Sequence, residues 1–336
     1  MREKAANPPS LACPDPGGGG VPLRGGEPVR LRGHDGVPLR GELCLPPTRP
    51  RALVIFSHAM MVDRRALEPS RGPGLLSELV ASELAVLWLD QRGHGQSVPL
   101  PSQGARWDFD DLVADVGAVL TQMQARFPSL PRIAVGHSLF GLAALAYQAR
   151  ASSGGFGAQA PRFDALVLLA TNPWLRRLEP RPGRWLLKRA AYAALLRALP
   201  LGYLPVRALG LGSADEPAAY LRQLGDWTRR DDWTDRRGRS YLSELPAVSV
   251  PVLSVVGQGD RLMAVPECQL RLLRGVRGPL CHWPVGRLAG DGADPGHIDL
   301  LRDPRLRPRW HDIARWIRAR VDEQAPSVPR PAGAGR

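Results

Sequence analysis

The chain has 336 residues, 44% of them hydrophobic. That is enough to bury a sizeable core, either as one large domain with an insertion or as two domains. The formal net charge is +13, from 45 basic and 32 acidic residues. The arginines are spread along the chain rather than packed into one run, which reads as a solvated surface and argues against nucleic acid as a partner.

Four cysteines, Cys13, Cys44, Cys268 and Cys281, show no C-x-x-C pair and no dense spacing, so neither a disulfide framework nor a zinc site is expected. The start, Met1-Arg2-Glu3-Lys4, leads into Pro and Gly rather than an apolar run. No uninterrupted apolar run is long enough to span a bilayer, and the expected compartment is the cytoplasm.

Residues 1–27 are rich in Pro and Gly, including Gly17 to Gly20, and are expected to be a disordered lead. Val29 to Arg32 and Val37 to Leu45 read as short strands around the turn His34-Asp35-Gly36. Leu53-Val54-Ile55-Phe56 is a continuous apolar run, as expected of a central strand buried on both faces. A polar loop, Ser57-His58-Ala59-Met60-Met61, follows it directly. Leu75, Leu76, Leu79 and Val80 then recur at helical spacing. Leu84 to Leu89 is the next buried strand, ending in Asp90-Gln91-Arg92-Gly93-His94-Gly95-Gln96-Ser97. Leu112, Val113, Val116, Val119, Leu120 and Met123 mark one face of a helix.

Ile133-Ala134-Val135-Gly136-His137-Ser138-Leu139-Phe140-Gly141 reads as strand, sharp turn, helix, with Ser138 at the apex. A hydroxyl held there lies beside a helix N-terminus, where backbone N–H groups favour negative charge. Ala165 to Leu169 is another buried strand. The rhythm breaks over 173–246, a stretch rich in Trp, Arg and Leu, read as a helical cap over the site. Within it, Trp185 to Leu199 suits an amphipathic helix, for which contact with a membrane surface is the second reading. Strands return at Val250 to Val256 and Leu280 to Trp283, and Trp310, Ile313, Ala314, Ile317 and Val321 make a last helix. Alternating buried strands and amphipathic helices predict a mainly parallel sheet covered on both faces. The core is therefore placed at 28–172 and 247–322, with a disordered tail over 323–336.

The segment around Ser138 resembles the nucleophile elbow of the α/β-hydrolase superfamily, normally G-x-S-x-G. Gly136 matches the first glycine; the second position holds Phe140, and Gly141 comes one residue late. The Asp90-x-Arg92-Gly93-x-Gly95-x-Ser97 turn is also one that many relatives carry, and Asp90 and Arg92 are taken as fixing it. The resemblance implies an α/β-hydrolase fold with an eight-stranded, mostly parallel sheet and a serine esterase, lipase or peptidase chemistry.

It also implies an order of residues, Ser138, then an acid, then a histidine. Asp260 follows a strand through Gly257-Gln258-Gly259, although the same position suits a helix N-cap. His297 sits in a Gly/Asp loop before the last helix. The N–H groups of Leu139 and Met60 are the expected oxyanion donors. His58, Met61 and Phe140 are candidate linings of a substrate pocket. No metal or organic cofactor is implied, and the expected partner is a small, partly apolar acyl substrate. Three outcomes stay open: a serine hydrolase acting on an ester or an amide, an acyltransferase on the same scaffold, or a non-catalytic protein if the Phe140 ring distorts the turn.

Overall fold

A computed structural model of the protein describes residues 26–69, 72–197 and 201–324. Of the expected disordered lead, residues 1–25 lie outside this range, and Glu27 already opens the first strand. Of the expected tail, 325–336 lie outside it, and the last helix runs on to Gln324.

Among the described residues, eight strands form one sheet in the order β1-β2-β4-β3-β5-β6-β9-β10. β1 (Glu27–Arg32) and β2 (Pro38–Cys44) are antiparallel at one edge, and β2 pairs antiparallel with β4 (Leu84–Asp90). All the rest of the pairing is parallel, through β3 (Ala52–Ser57), β5 (Arg132–His137), β6 (Ala165–Leu169), β9 (Val252–Gly257) and β10 (Leu280–Val285). Every residue of β3, β4, β6 and β9 is buried. Their near-continuous apolar runs therefore have the physical cause the sequence suggested, a sheet covered on both sides.

Two apolar clusters, one on each face, make the core. α1 (Leu75–Ala81) and α9 (Arg307–Gln324) cover one face through Leu75, Leu79, Trp310, Ile313 and Ile317. α2 (Phe109–Arg126) and α3 (Leu139–Ser152) cover the other. α2 starts cleanly because Asp108 accepts from the N–H of Asp110 at 2.9 Å while Asp111 accepts from the N–H of Asp108 at 3.0 Å. Such a capping box contributes about 1 kcal/mol. α3 is buried on every side from Leu139 to Ala151, as a helix without a polar face must be.

The segment between β6 and β9 carries α4 (Pro182–Arg197), α5 (Ala218–Arg230) and the short α6 (Tyr241–Glu244). It also holds a two-stranded ribbon, β7 (Tyr203–Leu204) with β8 (Glu216–Pro217), which the sequence did not announce. Two-residue strands are too short to show any hydrophobic alternation. α4 begins at Pro182, three residues before the expected start, and residues 198–200 at its expected end lie outside the described range. Leu186 and Leu187 on it face solvent. The insertion is anchored on the core by apolar packing, with Phe109 against Trp227 and Tyr241, and by polar contacts. Gln223 accepts from the N–H of Phe109 at 2.7 Å, and Arg150 pairs with Asp235 and Glu244, both at 3.0 Å. After β9 come α7 (Pro266–Leu273) and the single-turn α8 (Asp299–Arg302). No helix among the described residues is long and apolar enough to cross a membrane.

The displaced glycine of the serine turn has a steric reason. A Cβ on Gly136 would lie 2.5 Å from the Gly141 Cα, and one on Gly141 would lie 2.1 Å from Thr171 Oγ1 and 2.9 Å from the Gly136 carbonyl. The close crossing of α3 over the strand end therefore falls at 141, not at 140. Phe140 is free of that crowding. Its ring is 2% exposed and sits in the core beside a small void of about 10 Å³ lined by Leu39, Leu89, Leu112, Val116 and Val119. Gly141→Ala should accordingly cost about 1–3 kcal/mol in urea unfolding. Phe140→Leu, which only shortens a core side chain, should fold with the serine turn intact; equal stability of Gly141→Ala and the native protein would contradict the crossing described here.

Candidate active site

The C-terminal ends of the parallel strands gather the candidate groups. Ser138 sits between β5 and α3 with φ 50° and ψ −104°, a conformation that costs about 1–3 kcal/mol for a residue with a side chain. Its N–H donates to the Leu169 carbonyl at 2.8 Å, so the end of β6 holds the turn. The following N–H, of Leu139, lies in the first turn of α3 and has no acceptor within the helix.

Ser57 at the end of β3 lies opposite Gly136. The chains leaving these strands consequently run side by side, and the Phe140 N–H donates to the His58 carbonyl at 3.3 Å. This brings the loop with Ala59 and Met60 against the start of α3. Among the described residues, the Met60 N–H makes no hydrogen bond.

His297 and Asp260 are brought together. His297 Nδ1 lies 2.6 Å from Asp260 Oδ2. Asp260 also accepts from the N–H groups of Met263 at 2.8 Å and Ala264 at 2.9 Å, and it is 4% exposed. The backbone bonds stop short of α7, whose N-cap is Val265, so Asp260 is not that helix's cap. Gly257 and Gly259 make the approach possible: a Cβ on either would lie 2.1 Å from the Pro295 carbonyl or 2.3 Å from that of Asp294, respectively. With the Gly/Asp loop pressed onto them, His297 lands on the carboxylate. Its other nitrogen, Nε2, is buried with no hydrogen-bond partner among the described residues. The loop is tied to the serine turn as well. His137 Nε2 donates to the His297 carbonyl at 3.0 Å, and the two rings lie 4.9 Å apart. No motif in the sequence singles out His137 for this contact. Asn172, just after β6, has a buried Oδ1 without a partner among the described residues.

The expected pocket residues need correction. His58 is fully buried and serves the backbone. Its Nε2 accepts from the Gln91 N–H at 3.1 Å, and its Nδ1 lies 2.8 Å from the Ala59 carbonyl. A donor on one side and an acceptor on the other require the neutral ring with the proton on Nδ1. Phe140 is in the core, as described above. Met61 has φ 63° and packs against the core with its side chain, while its backbone is gripped by the insertion.

Asp90 and Arg92 do fix the turn, but by reaching beyond it. Asp90 accepts from the Gln96 N–H at 3.0 Å and pairs with Arg64. Arg92 pairs with Asp115 at 2.5 Å and Asp35 at 3.0 Å. Within the same turn, His94 Nε2 lies 3.1 Å from Glu216 Oε1, a buried contact across the fold. No local sequence signal joins two residues so far apart in the chain.

Over residues 48–211 the chain matches the family described as serine aminopeptidase, S33. That stretch contains Ser138, Leu139 and Met60 and ends before Glu216, Asp260 and His297. The sheet order and this match give the chain an α/β-hydrolase fold. No curated protein matches it.

Similar solved structures include a thermophilic esterase from Thermogutta terrifontis, at 17% identity and a TM-score of 0.54, covering 88% of this chain and 99% of that one. Another is Est1E from Butyrivibrio proteoclasticus with bound ferulic acid, at 16% identity and a TM-score of 0.55, with 88% and 99% covered. An esterase from Exiguobacterium antarcticum is similar at 15% identity and a TM-score of 0.54, again with 88% and 99% covered. At these identities the likeness concerns the fold.

The buried histidines titrate in opposite senses. Burial first, and then the neighbouring His94, hold His58 down to about 3. Burial, with His297 adding to it, keeps His137 well below the usual histidine range. For His94 burial works downward too, but the charge and hydrogen bond of Glu216 outweigh it and raise the group.

A group whose folded pKa is depressed in this way binds its proton more readily when unfolded. Stability should therefore fall as pH drops from about 6.5 toward 4, by about 1.4 kcal/mol per pH unit for each such histidine. The contribution of His94 is complete below about pH 6.5 and is lost only as pH rises through its raised folded value. Urea unfolding at stepped pH should show a shallower acid slope for His58→Gln than for the native protein, by one such increment. Identical slopes would mean that His58 is not held neutral.

Proposed function

We propose that this chain is a serine hydrolase that cleaves a carboxylic ester through an acyl-enzyme. Ser138 Oγ attacks the substrate carbonyl carbon while His297 Nε2 takes the hydroxyl proton. Asp260 holds the ring by its Nδ1–H and stabilises the imidazolium that forms. The carbonyl oxygen gains the negative charge, and the N–H groups of Leu139 and Met60 are the donors for it. Collapse of the tetrahedral intermediate expels the alcohol, which takes the proton back from His297. Water, deprotonated by the same nitrogen, then releases the acid and restores Ser138.

The observation that carries this reading is the 2.6 Å Asp260–His297 contact, with an Nε2 that has no partner among the described residues, on a loop tied to the residue before Ser138. A buried imidazole whose outer nitrogen is left without a partner needs a reason, and a base awaiting a hydroxyl is one. The esterase names of several structural neighbours support an ester rather than an amide, although the family matched over 48–211 carries an aminopeptidase name. The motive for a non-catalytic reading was the Phe140 ring, and that ring is in the core.

A fluorophosphonate probe should label the native protein on one residue and leave Ser138→Ala unlabelled. The native protein should hydrolyse p-nitrophenyl esters of short acids and act far more slowly on the matching anilides. Asp260→Asn should keep the fold and lower kcat by about 10⁴-fold. A folded native protein that takes no label and cleaves no ester would remove the hydrolase reading. Faster anilide than ester cleavage would move it to the peptidase side.

A further inference from the structure

We propose that Glu216, delivered by the insertion and held by His94, is a positioning residue that fixes the loop carrying the Met60 N–H. The inference rests on the serine-hydrolase reading for its catalytic consequence, and on the backbone geometry of residues 60–63 for its physical basis.

The insertion grips this loop at four points. The Met61 N–H donates to Glu216 Oε1. The Met61 carbonyl accepts from the N–H of Ser213 at 2.9 Å and of Ala214 at 3.1 Å. The Asp63 N–H donates to Ser213 Oγ at 3.1 Å. Between these contacts Met61 is kept at φ 63°, in the left-handed region, where a residue with a side chain stays only if its surroundings hold it. The peptide joining Met60 to Met61 is thereby fixed from one end, and with it the loop bearing the Met60 N–H. The other end of the loop is fixed by the Phe140–His58 bond to the serine turn.

Glu216 itself needs an anchor, since a carboxylate buried in the protein is costly without a counter-charge. His94 supplies it. Its Nδ1 lies 2.8 Å from the Arg92 carbonyl and its Nε2 3.1 Å from Glu216 Oε1, and both of these partners only accept. Two acceptors require two ring protons, so the ring is an imidazolium facing a carboxylate. Both side chains have no solvent exposure, and His58 and Trp107 enclose the ring. The other carboxylate oxygen, Oε2, is buried without a partner among the described residues. The contacts that do form all converge on Oε1, the atom that holds Met61.

The consequence is specific to the transition state. An oxyanion donor acts on charge that appears only during reaction, so displacing it lowers kcat and leaves substrate binding largely in place. Glu216→Ala should lower kcat for a p-nitrophenyl ester by about 10- to 100-fold with KM changed less than about 3-fold, somewhat less than the loss of a whole donor. Glu216→Gln keeps an oxygen for the Met61 N–H and should recover most of that loss. Amide hydrogen exchange, read with no substrate present, should be at least about tenfold faster over residues 60–63 in Glu216→Ala, and near native in Glu216→Gln.

Unchanged exchange over 60–63 in a folded Glu216→Ala overturns the positioning role, and so does a kcat equal to the native value. Should Glu216→Ala fail to fold, Glu216→Asp takes its place, since its shorter side chain cannot reach both partners, and the same two readouts decide. If the native protein proves inert toward esters while exchange over 60–63 still responds to Glu216, the hydrolase reading falls and the loop-positioning role stands.

Discussion

Ser57 lies opposite Gly136 in the parallel pairing of β3 and β5, and both strands stop within one residue of that pair. The two chains therefore leave the sheet together. One turns at Ser138 into α3; the other becomes the loop of Ala59, Met60 and Met61. A slip of one residue in this register would turn every side chain of one strand to the opposite face. It would also part Ser57 from Gly136, so the pairing of the strands sets where the polar groups of the two loops lie.

The same closeness sets what each position tolerates. Where α3 crosses the end of β6, Gly141 has Thr171 Oγ1 in the place where a methyl group would stand. Where the His297 loop crosses the end of β9, Gly257 and Gly259 meet backbone carbonyls. Both crossings put glycine where one backbone passes another, and both aim a polar side chain within three residues of the crossing: Ser138 in the first case, Asp260 and His297 in the second. The serine turn and the base loop are different segments solved by one steric device. The hydrogen bond from His137 to the His297 carbonyl then joins them across the sheet end.

Much of this was legible in the sequence. The apolar runs at 53–56, 84–89 and 165–169 fell on strands because a strand buried on both faces leaves no other pattern. The order Ser138, Asp260, His297 came from the resemblance of the serine turn to the nucleophile elbow, and the structure joins the last two. Side-chain direction was not readable. His58 looked like a pocket residue because it follows β3, yet its ring is spent on the Gln91 N–H and the Ala59 carbonyl. Phe140 looked obstructive because it occupies a glycine position of the motif, but the crossing is one residue further on. The insertion was the least legible part, since its ribbon is two residues a side and its partners on the core, rings such as Phe109 as well as polar atoms, are distant in sequence.

One of these polar contacts ties the ribbon of the insertion to the turn after β4. An imidazolium and a carboxylate taken out of water are tolerable only while they face each other. His94 belongs to the core turn after β4, and Glu216 to the ribbon of the insertion. If the ribbon lifts away, His94 must lose its proton or meet water, Glu216 must be rehydrated, and the Met61 backbone loses three of its partners at once. These costs fall together, which makes the ribbon and the 60–63 loop one cooperative unit rather than two neighbours in contact. An opening of the insertion would therefore also disturb the loop that carries the Met60 N–H. Docking of the ribbon on His94 and the ordering of that loop are, on this account, a single event.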